Sequence, residues 1–222
     1  ICNRREADDL IAAGLVQVNG KVIVTMGYKV QPTDEVKYNG SLIKSEKKKY
    51  LVLNKPKGFI TSITDKKAKK TVEELVGNAC RERLYPVGSM DRTSTGVLLF
   101  TNDVDLAKKM AHPKNGAVQI ISVVLDKPLQ KTHLTAIAKG MELEDGKIDV
   151  EEIKYIDERT KREVGLRLHS GKHRIVHRIF DKLGYTIEKM DRVSYAGFTK
   201  KNLSRGQWRF LDPKEVDFLK TR

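Results

Sequence analysis

Apolar and polar positions along the first forty residues change period once. Residues 4–13 predict a helix, with Asn3 placed as its N-cap and Gly14 placed to end it. Beyond Gly14 the pattern alternates: Val16 and Val18 lead to Asn19-Gly20, a strong hairpin turn, Val22 and Val24 continue it, and residues 36–38 run into a second turn at Asn39-Gly40. The expectation is one helix on a tiny sheet. Residues 41–49 are polar and end in three lysines, so a module of residues 1–44 would be followed by a lysine-rich linker, 45–49. A continuous apolar strand, 50–54, opens the second domain, 50–222, and Lys55-Pro56-Lys57-Gly58 breaks it before 59–62. Further strands are predicted at 97–100, 119–125, 150–156 and 164–168, and helices at 104–111 with Asn102 as cap, near 132–139 and over 172–183. Regular strand–helix alternation is lacking. The fold class is therefore α+β, a mixed and largely antiparallel sheet flanked by helices on one side, plus the small N-terminal α/β module.

Charge sharpens this picture. The 222 residues hold 43 Lys+Arg against 29 Asp+Glu, a formal net charge of +14, which suits a polyanionic partner such as nucleic acid; a merely basic protein is the alternative. No apolar run reaches the length of a membrane span and the opening is polar, so the chain reads as cytoplasmic. Cys2 and Cys80 are too few for a disulfide framework and lack neighbours at metal-ligand spacing. The first residue is Ile1, directly before a helix signal, so residues native to the N-terminus are expected to be absent.

The strongest candidate for chemistry is Asp91, in a polar Gly/Ser/Thr loop between two apolar stretches, YPVGSMDRTSTGVLLFTND at 85–103. The alternative is an aspartate that caps its own loop through Ser89, Thr93 or Ser94. GSMDRTSTG has too few glycines and no Gly-Lys-Ser/Thr ending, which disfavours a nucleotide phosphate loop. In residues 170–180, SGKHRIVHRIF, helical spacing puts Ile175, Val176, Ile179 and Phe180 on one face and His173, Arg174, His177 and Arg178 on the other. His173 and His177 are four apart, but a third ligand at convincing spacing is missing, and no metal is expected.

The 85–103 run closely resembles the signature of pseudouridine synthases that act on ribosomal RNA. LVLNKPKGFITS at 51–62 resembles the same family's first motif, SGKHRIVHRIF its third, and LGYTIEKMDRVSYAGFTKKNLSRGQWRFL at 183–211 its closing segment. ICNRREADDLIAAGLVQVNGKVI at 1–23 resembles the latter part of a small RNA-binding module shared by many translation factors. The resemblance implies that Asp91 attacks an extruded uridine, with no cofactor, and that Arg4, Arg5 and Lys21 of the module meet phosphates. Lys55, Lys57, Arg92, His173 and Arg174 are further expected RNA contacts, although a solvated turn or helix face would look the same. Val87, Met90, Val97, Leu98 and Ile175 are expected walls of the base pocket, with Arg178 as a supporting residue.

Three positions depart from the family pattern. Ser89 stands where the family loop, Gly-Arg-Leu-Asp, has arginine; Ile121 in QIISVVLDKPL stands where relatives have a tyrosine proposed to stack on the base and take the C5 proton; His177 stands where an arginine pairs with the carboxylate. Arginine is always charged and histidine only part of the time, so the pair with Asp91 should depend on pH. Tyr85 and Tyr195 are candidates to replace the missing phenol. The expected function is isomerisation of a uridine in ribosomal RNA by a monomer without an obligate protein partner, its substrate ribosomal RNA or a subunit precursor. The alternatives are a catalytically weak or inactive relative that binds ribosomal RNA during assembly, and another uridine-directed chemistry.

Overall fold

The structure is a computed structural model that describes residues 2, 4–44, 46–61, 70–112, 116–144, 146–148, 150–169 and 174–221. The chain divides into two compact units, residues 1–47 and 48–222. In the first, helix α1 (Arg4–Ala12) is followed by strands β1 (Val16–Val18), β2 (Lys21–Val22), β3 (Val36–Tyr38) and β4 (Ser41–Leu42), ordered β2-β1-β3-β4. Both hairpin turns work through their Asn-Gly pairs: Asn19 and Gly20, like Asn39 and Gly40, have positive φ, the backbone that a two-residue hairpin needs. Ser41 and Leu42 pair with β3, so the polar stretch after Asn39-Gly40 begins as strand. Its end belongs to the second unit, where the Lys49 backbone N–H donates to Asn102 Oδ1 at 2.8 Å.

The second unit comprises β5 (Tyr50–Lys55), α2 (Val72–Val76), β6 (Tyr85–Pro86), β7 (Thr95–Thr101), α3 (Val104–Met110), β8 (Val118–Leu125), α4 (Lys131–Ala138), β9 (Met141–Leu143) and β10 (Gly146–Ile148). It continues through β11 (Glu152–Tyr155), β12 (Glu163–His169), α5 (Ile175–Lys182), β13 (Ile187–Tyr195), β14 (Phe198–Thr199), β15 (Trp208–Phe210) and α6 (Pro213–Lys220). Its main sheet runs β11-β12-β8-β13-β7-β5-β15, antiparallel except for the β13–β7 pair. β9 and β10 form a separate hairpin.

Helices cover both faces of the sheet around β5 and β7, where the sequence predicted one. Tyr50 and Val52 pack with Met110 of α3 and Leu219 of α6, whereas Leu51 and Leu53 pack with Val72 and Val76 of α2. A strand buried on both faces carries apolar side chains on both, which is why Tyr50, Leu51, Val52 and Leu53 read as a continuous run. Farther along, β8 and β12 turn alternate residues to α4 and α5, with Ile137, Ile179 and Phe180 fully buried among them. The cap of α3 is Asp103, which accepts from the Leu106 backbone N–H; Asn102 is instead occupied by Lys49. Among the described residues, no helix is long and apolar enough to cross a membrane.

Candidate active site

Asp91 lies in the loop between β6 and β7, and its position is fixed from beneath. The Lys55 side chain is buried, 0% exposed, and its ammonium donates to the backbone carbonyls of Asp91 at 3.0 Å and Ser94 at 2.8 Å. Burial pushes this lysine down to about 8. Lys55 is therefore a support of the loop and not an RNA contact, because a fully enclosed ammonium cannot reach a phosphate. Thr61 Oγ1 brackets Met90, donating to its carbonyl and accepting from its N–H, and the Gly58 N–H donates to the Arg92 carbonyl at 2.8 Å. The Lys-Pro-Lys-Gly turn thus holds the loop through backbone atoms.

Helix α5 approaches from the other side. His177 Nδ1 stands 3.2 Å from Asp91 Oδ2, and Arg174 Nε stands 3.6 Å from Asp91 Oδ1. Arg174 is left-handed, with φ of 50°, at the residue before the helix, which turns its side chain away from the axis towards the loop. His177 is nearly enclosed, at 14% side-chain exposure, whereas Arg174 is half-exposed. The carboxylate lies between two nitrogen groups, one sheltered and one wet.

Beside Asp91 is a cavity of about 150 Å³, enough for one six-membered ring. Ser89, Met90, Ile121 and Ile175 line it together with Asp91, Arg174 and His177, so the three departures from the family pattern converge on one space. Arg178 lies outside the lining, as do Val87, Val97 and Leu98, which are core residues. Neither Tyr85 nor Tyr195 replaces the phenol: Tyr85 is not in the lining, and Tyr195 is fully buried with its hydroxyl donating to the Met110 carbonyl at 3.3 Å. Arg5, Lys21, Lys57 and Arg92 are exposed; Arg4 opens α1, and His173 lies outside the described residues.

Sequence reasoning missed Ser94, Gln119, Met190 and Arg192, which also line the cavity. Arg192 is 4% exposed and burial lowers its guanidinium to about 10. Its Nε donates to the Val97 carbonyl at 2.7 Å, its Nη1 to Gln119 Oε1 at 3.4 Å, and its guanidinium lies 4.3 Å from the Tyr195 ring centre. No local signal marked it: Arg192 is one of four charged residues in β13, IEKMDRVSY, and resembles part of a strand's solvent face until the pairing of β13 with β7 is known.

An ionisable loop facing a basic helix across a ring-sized cavity agrees with what known proteins resemble this chain. Residues 49–182 match the RNA pseudouridylate synthase family, and residues 1–36 match the S4 domain. Ribosomal large subunit pseudouridine synthase B of Bacillus subtilis (strain 168) is 34% identical over 99% of this chain and 91% of its own length. An uncharacterized RNA pseudouridine synthase of Aquifex aeolicus (strain VF5) is 31% identical over 97% of this chain and 88% of its own length. A crystal structure of pseudouridylate synthase superposes with a TM-score of 0.71 at 24% identity, over 98% of this chain and 94% of that one, which shows a shared fold. With a family match spanning most of the second unit and relatives matched nearly end to end, the chain belongs to the RNA pseudouridylate synthase family and carries an S4 domain at its N-terminus.

Proposed function

We propose that this protein isomerises a uridine of ribosomal RNA to pseudouridine in the cytoplasm, with Asp91 as the nucleophile. The observation that carries the reading is the Asp91 carboxylate, held over a ring-sized cavity between His177 and Arg174 in a chain of this family. The ribosomal substrate is supported by the B. subtilis relative, named for the large ribosomal subunit, and by the S4 domain.

The reaction breaks the bond between ribose C1′ and uracil N1, turns the base and joins C1′ to C5; N1 gains a proton and C5 loses one. Atoms and electrons balance without a redox partner. Asp91 stabilises the separated ribose by attack, or attacks the base, and excluding water from the cavity keeps the detached base from being lost. Ile121 accepts no proton. In this reading the Asp91 carboxylate takes the proton, with His177 beside it as the cation that orients it. Arg5 and Lys21 in the module, and Lys57 and Arg92 beside the loop, contact phosphates in this reading.

The test is pseudouridine mapping of ribosomal RNA incubated with wild-type protein and with Asp91→Ala. One uridine converted by the wild type alone is the expected outcome. An unchanged map for the wild type would overturn the synthase reading even if the RNA is bound.

A further inference from the structure

Two buried polar atoms of the cavity-lining residues lack protein partners. Ser94 Oγ and Arg192 Nη2 belong to residues 1% and 4% exposed, and neither has a hydrogen bond among the described residues. Both residues line the space beside Asp91. Buried polar groups are nearly always satisfied, so two exceptions at one cavity call for a ligand.

The charge on Arg192 points the same way. Its chain neighbour Asp191 is paired with Lys200 and Arg205, and Arg192 has no carboxylate at ion-pair distance among the described residues. A buried cation without a counter-ion is costly, yet this one is held firmly by Val97, Gln119 and the Tyr195 ring. A guanidinium only donates, and a serine hydroxyl can donate beside it, so the pair fits an oxygen that is an acceptor or carries negative charge.

Uracil offers such an oxygen. When the C1′–N1 bond breaks and the electron pair stays with the base, negative charge spreads onto its carbonyl oxygens. Asp91 is partly exposed, whereas Ser94 and Arg192 are buried, so a base entering with its ribose at the mouth puts the atoms farthest from N1 deepest. The farthest carbonyl is at C4. We infer that Arg192 Nη2 and Ser94 Oγ donate to uracil O4, recognising the base and stabilising the charge it acquires as it leaves the ribose. This rests on the synthase reading. Cytosine carries an amino donor at that position and would face a guanidinium that only donates, so Arg192 selects against cytidine.

The experiment compares wild type, Ser94→Ala and Arg192→Lys in single-turnover conversion of ribosomal RNA, with RNA binding and thermal melting measured alongside. Ser94→Ala should slow conversion roughly tenfold and Arg192→Lys roughly a hundredfold, with RNA affinity within about twofold of wild type. Ser94→Ala should melt no lower than wild type, because it deletes an orphaned hydroxyl; a purely structural serine would show the opposite, lower melting at an unchanged rate. Wild-type conversion rates in both variants overturn the inference. If the wild-type protein converts nothing, the synthase reading falls on its own, and the donor pair is judged by uridine and cytidine 5′-monophosphates. Stabilisation by the uridine nucleotide alone, lost in Ser94→Ala, upholds it, and equal effects of the two nucleotides overturn it.

Discussion

Lys55 and Asp91 meet through the backbone: the buried ammonium donates to the Asp91 carbonyl at 3.0 Å and to the Ser94 carbonyl at 2.8 Å. The lysine therefore sets where the Asp91 carboxylate and the Ser94 hydroxyl stand. Lys55→Met keeps the length of the side chain but leaves three carbonyls, those of Pro56, Asp91 and Ser94, without this donor, and should lower stability by about 3 kcal/mol in urea unfolding. Conversion should fall further than the folded fraction accounts for, because the loop is displaced in molecules that remain folded.

The same lysine makes stability depend on alkaline pH. Burial lowers it from 10.5 to about 8, so between those values the unfolded chain binds a proton that the folded chain has released. Stability therefore rises with pH across that window as far as Lys55 is concerned. Tyr50 is pushed up to about 12, chiefly by burial and then by its bond to Asp103, and works in the opposite direction above its ordinary value of 10.0. Urea midpoints of wild type and Lys55→Met between about pH 7.5 and 9.5 isolate the lysine. The wild-type value should gain relative to the variant as pH rises; parallel curves would remove Lys55 as the cause.

The limits of what the sequence revealed follow from how far apart in the chain the cavity's residues lie. Strand β5 was legible because burial on both faces leaves an unbroken apolar run, and both hairpins were legible because Asn-Gly pairs carry their own turn geometry. Asp91 and the basic face of α5 were visible as local patterns. Lys55 was misread because a lysine beside a Pro-Gly turn ordinarily faces water; only the placement of the 88–94 loop over it shows otherwise. Arg192 and Gln119 were missed because neighbouring strands, β13 and β8, bring them together across 73 residues of chain. Register, rather than any local signal, decides which face of those strands lines the cavity.

Gly96 tests that register. It has φ of +111°, and a Cβ there would stand 2.2 Å from the Arg192 carbonyl oxygen, at the parallel contact of β7 with β13. The obstruction is backbone, so no side-chain rotation relieves it. Gly96→Ala should cost about 4 kcal/mol, from left-handed strain and overpacking together. Because β13 carries Arg192, conversion should fall in the remaining folded protein. A melting temperature equal to wild type would contradict this packing.

RNA binding should show which lysines face phosphate. Lys57 and Arg92 are exposed on turns joined by the Gly58 to Arg92 hydrogen bond, 2.8 Å long, whereas Lys55 is enclosed. Neutralising either exposed residue should reduce the slope of log affinity against log salt by about 1. Lys55→Met, measured on the folded fraction, should leave that slope unchanged. A slope change for Lys55→Met as large as that for Lys57→Ala would place Lys55 among the phosphate contacts.

The contact of His177 with Asp91 predicts how conversion responds to pH. Arg174 is closest to the other carboxylate oxygen, but at 3.6 Å and half in water it holds the charge weakly. His177 is nearer, at 3.2 Å, and sheltered, so the orientation of Asp91 depends more on the imidazole. A protonated imidazole attracts the carboxylate and a neutral one loses that attraction, so conversion should decline as pH rises through the range in which histidines titrate. Lys55 also loses its proton within the folded protein, but only at about 8, and the two effects are separable by substitution. His177→Arg supplies a charge that persists throughout, and should hold kcat/KM nearly level from about pH 6 to 8 while wild type falls several-fold. The same decline in both proteins would assign the pH dependence to a different group.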